Sequence, residues 1–188
     1  MSEPEYRTFP VLQKDRHKFD GSLRELAEKL GCQAAALYLI DPTNTYLVLR
    51  SEYGFSQEGP GHEESTGSES TAGHENVQNE NTAEADRRHS PRRVRPMKGA
   101  VGDLEAMIGS VVTLDTESLI PFWNPPEKYP SSLCVAVASE TMIWGTLWLF
   151  SLSNRTFSRE QGDLEVETAY RIATELEQQA VPQPLTTP

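Results

Sequence analysis

The stretch PSSLCVAVASETMIWGTLWLFS, Pro130 to Ser151, constrains the fold more than any other. It holds two apolar runs, Leu133 to Ala138 and Met142 to Phe150, parted by Ser139, Glu140 and Thr141. A strand with one wet face alternates apolar and polar residues. These runs hardly alternate, so the hairpin they form needs cover on both faces. The region approaches the length of a membrane span, but Glu140 interrupts it and no basic cluster flanks it. It therefore reads as a buried hairpin of a soluble protein.

The rest of the chain supplies candidates for that cover. SLRELAEKLG reads as a helix: Ser22 and Glu25 have the spacing of a capping box, and Leu23, Leu26, Ala27 and Leu30 share one face. Gly31 suits the left-handed position that ends it. Ala35 to Ile40 and Tyr46 to Tyr53 read as strands of a first hairpin, joined by the turn chemistry of Asp41-Pro42-Thr43-Asn44. From Gln57 to Lys98 large apolar residues almost vanish, and the segment is read as a disordered insertion, acidic first and basic from Arg87 to Arg95. His62, His74 and His89 lie in it at spacings too long for a metal tract, and RRHSPRR resembles a basic-directed phosphorylation site around Ser90. In GDLEAMIGSVV, Asp103 is expected to cap a short helix with Leu104, Met107, Ile108 and Val111 on its apolar side. ESLIPFWNPPEKYPSS is an irregular, aromatic-rich excursion. Ser158 and Gln161 form a second capping box, opening a helix to about Gln179.

The order is helix, hairpin, excursion, hairpin, helix. It implies an α+β sandwich: a central antiparallel sheet with the terminal helices on one face and the irregular excursion on the other. The expected divisions are a flexible arm at 1–17, a domain in two parts at 18–56 and 99–179, the insertion at 57–98, and a disordered tail at 180–188.

That order of segments resembles a GAF domain. The resemblance rests on AALYLID, on SLCVAV leading into the glycine-centred IWGTLWLF, and on Phe157-Ser158 opening a helix that ends near Leu176-Glu177. It runs over Leu23–Phe55 and Gly99–Gln179. It implies a GAF-like sandwich and a module of the kind found in bacterial signalling proteins, beside kinase, phosphatase or cyclase domains. None of those catalytic domains is present in this sequence.

Few residues point to catalysis. No glycine-rich phosphate loop, HExxH or nucleophile elbow appears. GAF-fold free methionine sulfoxide reductases use pocket cysteines, but the loop pattern that carries them is not found, and a strand cysteine such as Cys134 is usually a small buried hydrophobe. Bilin attachment would favour a histidine after the cysteine, where Val135 stands. The sole histidine outside the insertion is His17, a poor position for a haem ligand. No enzyme activity is expected, and no cofactor is named.

The aromatics carry the binding expectation. Strand parity places Trp144, Trp148 and Phe150 on one face, toward the excursion with Phe122, Trp123 and Tyr129. Ile143, Gly145, Leu147 and Leu149 take the other face, where Gly145 would let a helix approach. The candidate pocket is Met107, Ile108, Phe122, Trp123, Tyr129, Ser132, Cys134, Trp144 and Trp148. The same rings can equally pack as core.

Two functions follow: a non-catalytic sensory module binding a small molecule, or a ligand-free GAF domain acting through protein contacts. The net charge of −11 opposes nucleic-acid and membrane-surface partners. Two cysteines without a disulfide framework fit the cytoplasm. A kinase, phosphatase or other signalling protein is the expected partner. A weak homodimer is expected through a small-residue stripe, Gly162, Val166, Ala169, Ala173, Leu176 and Ala180.

Overall fold

The computed structural model describes residues 17–55, 92–115 and 120–180. The chain divides into two units, 1–54 with 91–188 and 55–90. Apart from Phe55, the described residues belong to the first. Its elements are α1 (Asp20–Leu30), β1 (Ala34–Ile40), β2 (Tyr46–Tyr53), β3 (Val94–Pro96), α2 (Val101–Met107), β4 (Val112–Leu114), α3 (Ile120–Trp123), β5 (Ser131–Ala138), β6 (Ile143–Ser151) and α4 (Arg159–Ala180). The strands form one antiparallel sheet in the order β3-β2-β1-β6-β5-β4.

Both hairpins form as expected. In the first, Asn44 takes the left-handed conformation, φ 54°, and Asp41 organises the turn. Its Oδ1 accepts from the amides of Thr45 (2.8 Å) and Tyr46 (2.7 Å), and its Oδ2 from Thr43. In the second, Ser139 closes the turn by donating its amide to the Met142 carbonyl at 2.9 Å. β6 lies between β1 and β5, with Leu147 opposite both Leu37 and Val135.

The helix ends test the capping readings separately. At α4 the Ser158 amide donates to Gln161 Oε1 at 2.9 Å, and the Gln161 amide donates to Ser158 Oγ at 3.3 Å. That is the reciprocal box. At α1 the expected box does not form. The helix starts two residues before Ser22, at Asp20, because Phe19 is buried and its carbonyl already accepts from the Leu23 amide. Burying that ring fixes the entry of the chain one turn early. Gly31 ends α1 in the left-handed region, φ 65°.

α1 and α4 cover one face of the sheet. Leu23, Leu26, Ala27 and Leu30 pack there with Leu133, Val135, Val137, Leu147, Leu149, Ala169, Ile172 and Ala173. Most of the small-residue stripe of α4 is therefore spent inside its own domain: Gly162, Ala169, Ala173 and Leu176 are buried. α2 packs on the opposite face, against β5 and β6.

Three local readings change. Residues 92–98 are not part of a disordered insertion. Val94–Pro96 pairs with Tyr46–Val48 as an edge strand. The rest of the insertion, like residues 1–16 of the N-terminal arm and residues 181–188 of the tail, lies outside the described residues. Gly145 faces a neighbouring strand and not a helix: a Cβ there would lie 1.9 Å from the Tyr38 carbonyl oxygen. Beside it, Val137 pairs with Gly145 but Ala138 pairs with Ile143, so Trp144 has no partner across the sheet. This bulge breaks the period of two, and Trp144 packs against the helix-side core, away from Trp148.

Candidate functional site

The face of the sheet opposite the terminal helices centres on a carboxylate. Asp103 is fully buried. Its Oδ2 accepts from Arg95 Nη1 at 2.8 Å, and its Oδ1 accepts from Thr146 Oγ1 and Trp148 Nε1, both at 2.7 Å. Arg95 is nearly as buried. Its Nη2 donates to the Asn124 carbonyl at 2.5 Å, and its guanidinium lies 5.4 Å from the centre of the Tyr38 ring. One ion pair thus ties β3, α2, β6 and the residue after α3.

This arrangement corrects the reading of Asp103 as a helix cap. α2 begins at Val101 after Ala100, with no side-chain cap bond. Asp103 turns inward because three donors, one of them charged, meet its carboxylate there, and charge-assisted bonds are stronger than a cap. The helix consequently buries Gly102, Asp103 and Ala106 and exposes Leu104, Ile108 and the following Val111. Gly102 permits this approach: a Cβ on it would lie 2.8 Å from Trp148 Cη2.

The other candidate residues divide. Trp148, Ser132 and Cys134 are buried on this face, and Tyr129 packs on Phe150 with ring centres 5.0 Å apart. Trp148 stacks on Phe150 at 5.9 Å with planes 9° apart. Met107 is half-buried. Ile108 and Phe122 stand in solvent, 77% and 66% exposed. Phe122 meets Trp123 edge-on at 5.7 Å. The rings that do gather here pack on one another through Phe150. An open cleft of about 440 Å³ lies further out, lined by Ile120, Pro121, Lys128, Tyr129, Pro130 and Asn154.

Other polar groups around this face serve the fold. Ser131 Oγ accepts from the Arg155 amide at 2.8 Å, and Asn124 Nδ2 donates to the Gly99 carbonyl at 2.9 Å. Sequence reading missed Arg95, which sat in the basic end of the low-complexity segment, and Tyr38, whose hydroxyl donates to the Arg92 carbonyl at 2.9 Å. Thr146 carried a usable signal: it shares strand parity with Trp148.

Burial dominates the electrostatics. It pushes the Cys32 thiol up to about 11 and the Cys134 thiol well above its ordinary value, so both stay protonated. It raises Glu127 to about 7, against the pull of Arg92 and Arg95. It also holds Glu165, on the buried face of α4, far above the usual carboxylate range; both carboxyl oxygens lack a hydrogen-bond partner. Among the described residues no three His, Cys, Asp or Glu side chains gather as a metal site, and no helix is long and apolar enough to cross a membrane.

A six-stranded antiparallel sheet with two helices on one face and an irregular excursion on the other defines an α+β sandwich. The GAF domain family model matches residues 17–179, and the chain belongs to that family. Solved structures agree on the fold. The GAF domain of a phosphoenolpyruvate-protein phosphotransferase from Acinetobacter superposes with a TM-score of 0.62 at 19% identity, covering 92% of this chain and 90% of that one. A segment of a methyl-accepting chemotaxis protein gives 0.59 at 14% identity, with 89% and 93% covered. The free methionine-R-sulfoxide reductase of Neisseria meningitidis, solved with its substrate, gives 0.57 at 17% identity, with 91% and 86% covered. No curated protein matches the sequence.

Proposed function

We propose that this GAF domain is a non-catalytic regulatory module whose output is contact with signalling proteins. The observation that carries the reading is the Asp103 cluster. The face of the sheet that sequence reading offered to a ligand is filled by the chain's own Trp148, Phe150, Tyr129 and the Arg95–Asp103 pair. Reductase chemistry of the kind named for the Neisseria relative is disfavoured here, because a thiolate is the reactive form and burial opposes it at both cysteines. The net charge of −11 argues for a protein partner over a nucleic acid or an anionic membrane.

The outer cleft favours a second reading, small-molecule sensing. Lys128 and Asn154 supply a cation and an amide beside the apolar walls of Ile120, Pro121 and Pro130, a fit for a small carboxylate with an apolar body. A thermal-shift series with cyclic nucleotides, amino acids and tetrapyrroles separates the two, since a ligand bound only by the folded state raises its melting temperature. The first reading expects no shift. A saturable shift that Lys128→Ala abolishes would replace it with the second.

A further inference from the structure

The two halves of α4 are held to the sheet unequally. The second half buries Ile172 and Leu176, and Lys18 ties it to the start of α1 through Glu175 at 2.6 Å. The first half buries Gly162, Thr168, Ala169 and, at 0% exposure, Glu165, while Leu164 is only partly covered. Its largest fully buried side chain is therefore a carboxyl. Neither oxygen of Glu165 has a hydrogen-bond partner among the described residues. Thr168, one turn on, donates its hydroxyl to the Leu164 carbonyl of its own helix at 3.0 Å.

The elements packed against α4 supply no counter-charge. Cys32, just after α1, and Cys134, on β5, feel the charge of Glu165, and burial keeps both thiols protonated. β6 carries no titratable side chain. On α1, Arg24, Glu25, Glu28 and Lys29 are exposed, and Asp20 pairs with His17. Arg155, in the loop before α4, donates to the Leu30 and Gly31 carbonyls at 2.7 and 3.4 Å, so its guanidinium is committed to the end of α1. On α4 itself Asp163, Glu167 and Arg171 are outside the buried face. An ionised Glu165 has to reach water, and it reaches water only if its stretch of helix lifts. We propose that the proton on Glu165 is a latch: bound, it lets the first half of α4 lie on the sheet, and its loss releases that half while the sheet and the Asp103 face stay folded. The sign is fixed by burial. Above 4.5, the ordinary value, the open form gives up a proton that the closed form keeps, so opening grows with pH. The device goes beyond the contact reading and holds whether the module meets a protein or a small molecule.

Amide hydrogen exchange of the full chain at several pH values, from about 5 to about 8, tests the latch, with each rate corrected for the intrinsic pH dependence of exchange. In the wild type the opening of the amides from Val166 to Ala169 should rise by up to about tenfold per pH unit, the slope of one released proton. The amides of β1 and β6 should not follow it. Glu165→Gln keeps the shape and cannot ionise, so its α4 amides should open independently of pH. Glu165→Leu is the second variant, and circular dichroism confirms that both fold. A flat wild-type profile, or the same slope in either variant, overturns the latch. So does a wild type in which β1 and β6 open with the slope of α4, since the proton would then be linked to unfolding of the whole domain; that comparison needs no variant.

Discussion

On the helix side of the sheet, Leu133, Leu147 and Leu149 meet Leu23, Leu26, Ile172 and Ala173. On the excursion side, Trp148 and Thr146 of the same strand point their donors at one carboxylate, which a buried arginine neutralises. The first interface is held by apolar area, which has no preferred direction and tolerates small shifts. The second is held by bonds at 2.7–2.8 Å that must be satisfied together. The difference teaches where each face is fragile. The helix side fails by losing volume, and the excursion side by losing a partner.

The largest break is expected at Asp103→Ala. It strands the Arg95 charge and two donors in the interior, a loss of about 3–5 kcal/mol for a buried pair with one member removed. Urea denaturation checks it, and a loss below that of an ordinary apolar truncation would undo the contrast. On the other face, Leu147→Ala removes buried volume and should cost roughly 3 kcal/mol in the same assay.

Glu165 sharpens the comparison from the opposite direction, as a polar group on the apolar side with no partner for its carboxyl. Glu165→Leu should stabilise the domain at neutral pH by about 1–2 kcal/mol, because the burial penalty of the carboxyl is removed. The sign with pH follows from its raised value in the folded state. Above the unfolded-state value of 4.5, the unfolded chain releases a proton that the folded protein keeps. Wild-type stability should therefore be complete below that pH and fall as pH rises toward the folded-state value. Glu127, raised to about 7, contributes the same sign over pH 4.5 to 7. The Glu165→Leu variant should thus keep only the Glu127 part of the slope, and an unchanged slope in denaturation at several pH values would show that Glu165 is not buried as a neutral acid. The smallest effect belongs to Ile108→Ser. At 77% exposure it should shift stability by no more than about 0.5 kcal/mol, whereas a core role would cost several times that.

Much of the fold was legible. The α1 face, both hairpins, the capping box of α4 and the placement of the two long helices on one side all followed from local spacing. The candidate site was legible only in part. Trp148, Tyr129, Ser132 and Cys134 were assigned to the correct face, but Trp144 was not, because a bulge sits between it and Trp148. Ile108 was taken as a pocket wall from the apolar side of its expected helix and Phe122 from its place in the excursion, and exposed apolar side chains on short helices carry no mark that distinguishes them from buried ones.

Local periodicity determined the elements and their order, since an amphipathic helix or a doubly apolar strand states its own burial requirement within ten residues. Only the tertiary structure decided which way α2 turns. Its apolar residues outnumber its polar ones, yet Asp103 faces inward because Arg95, brought alongside by the pairing of β3 with β2, and Trp148, some forty-five positions along the chain, converge on it. A buried ion pair depends on donors that the chain assembles from distant segments, and no window of the sequence contains them all.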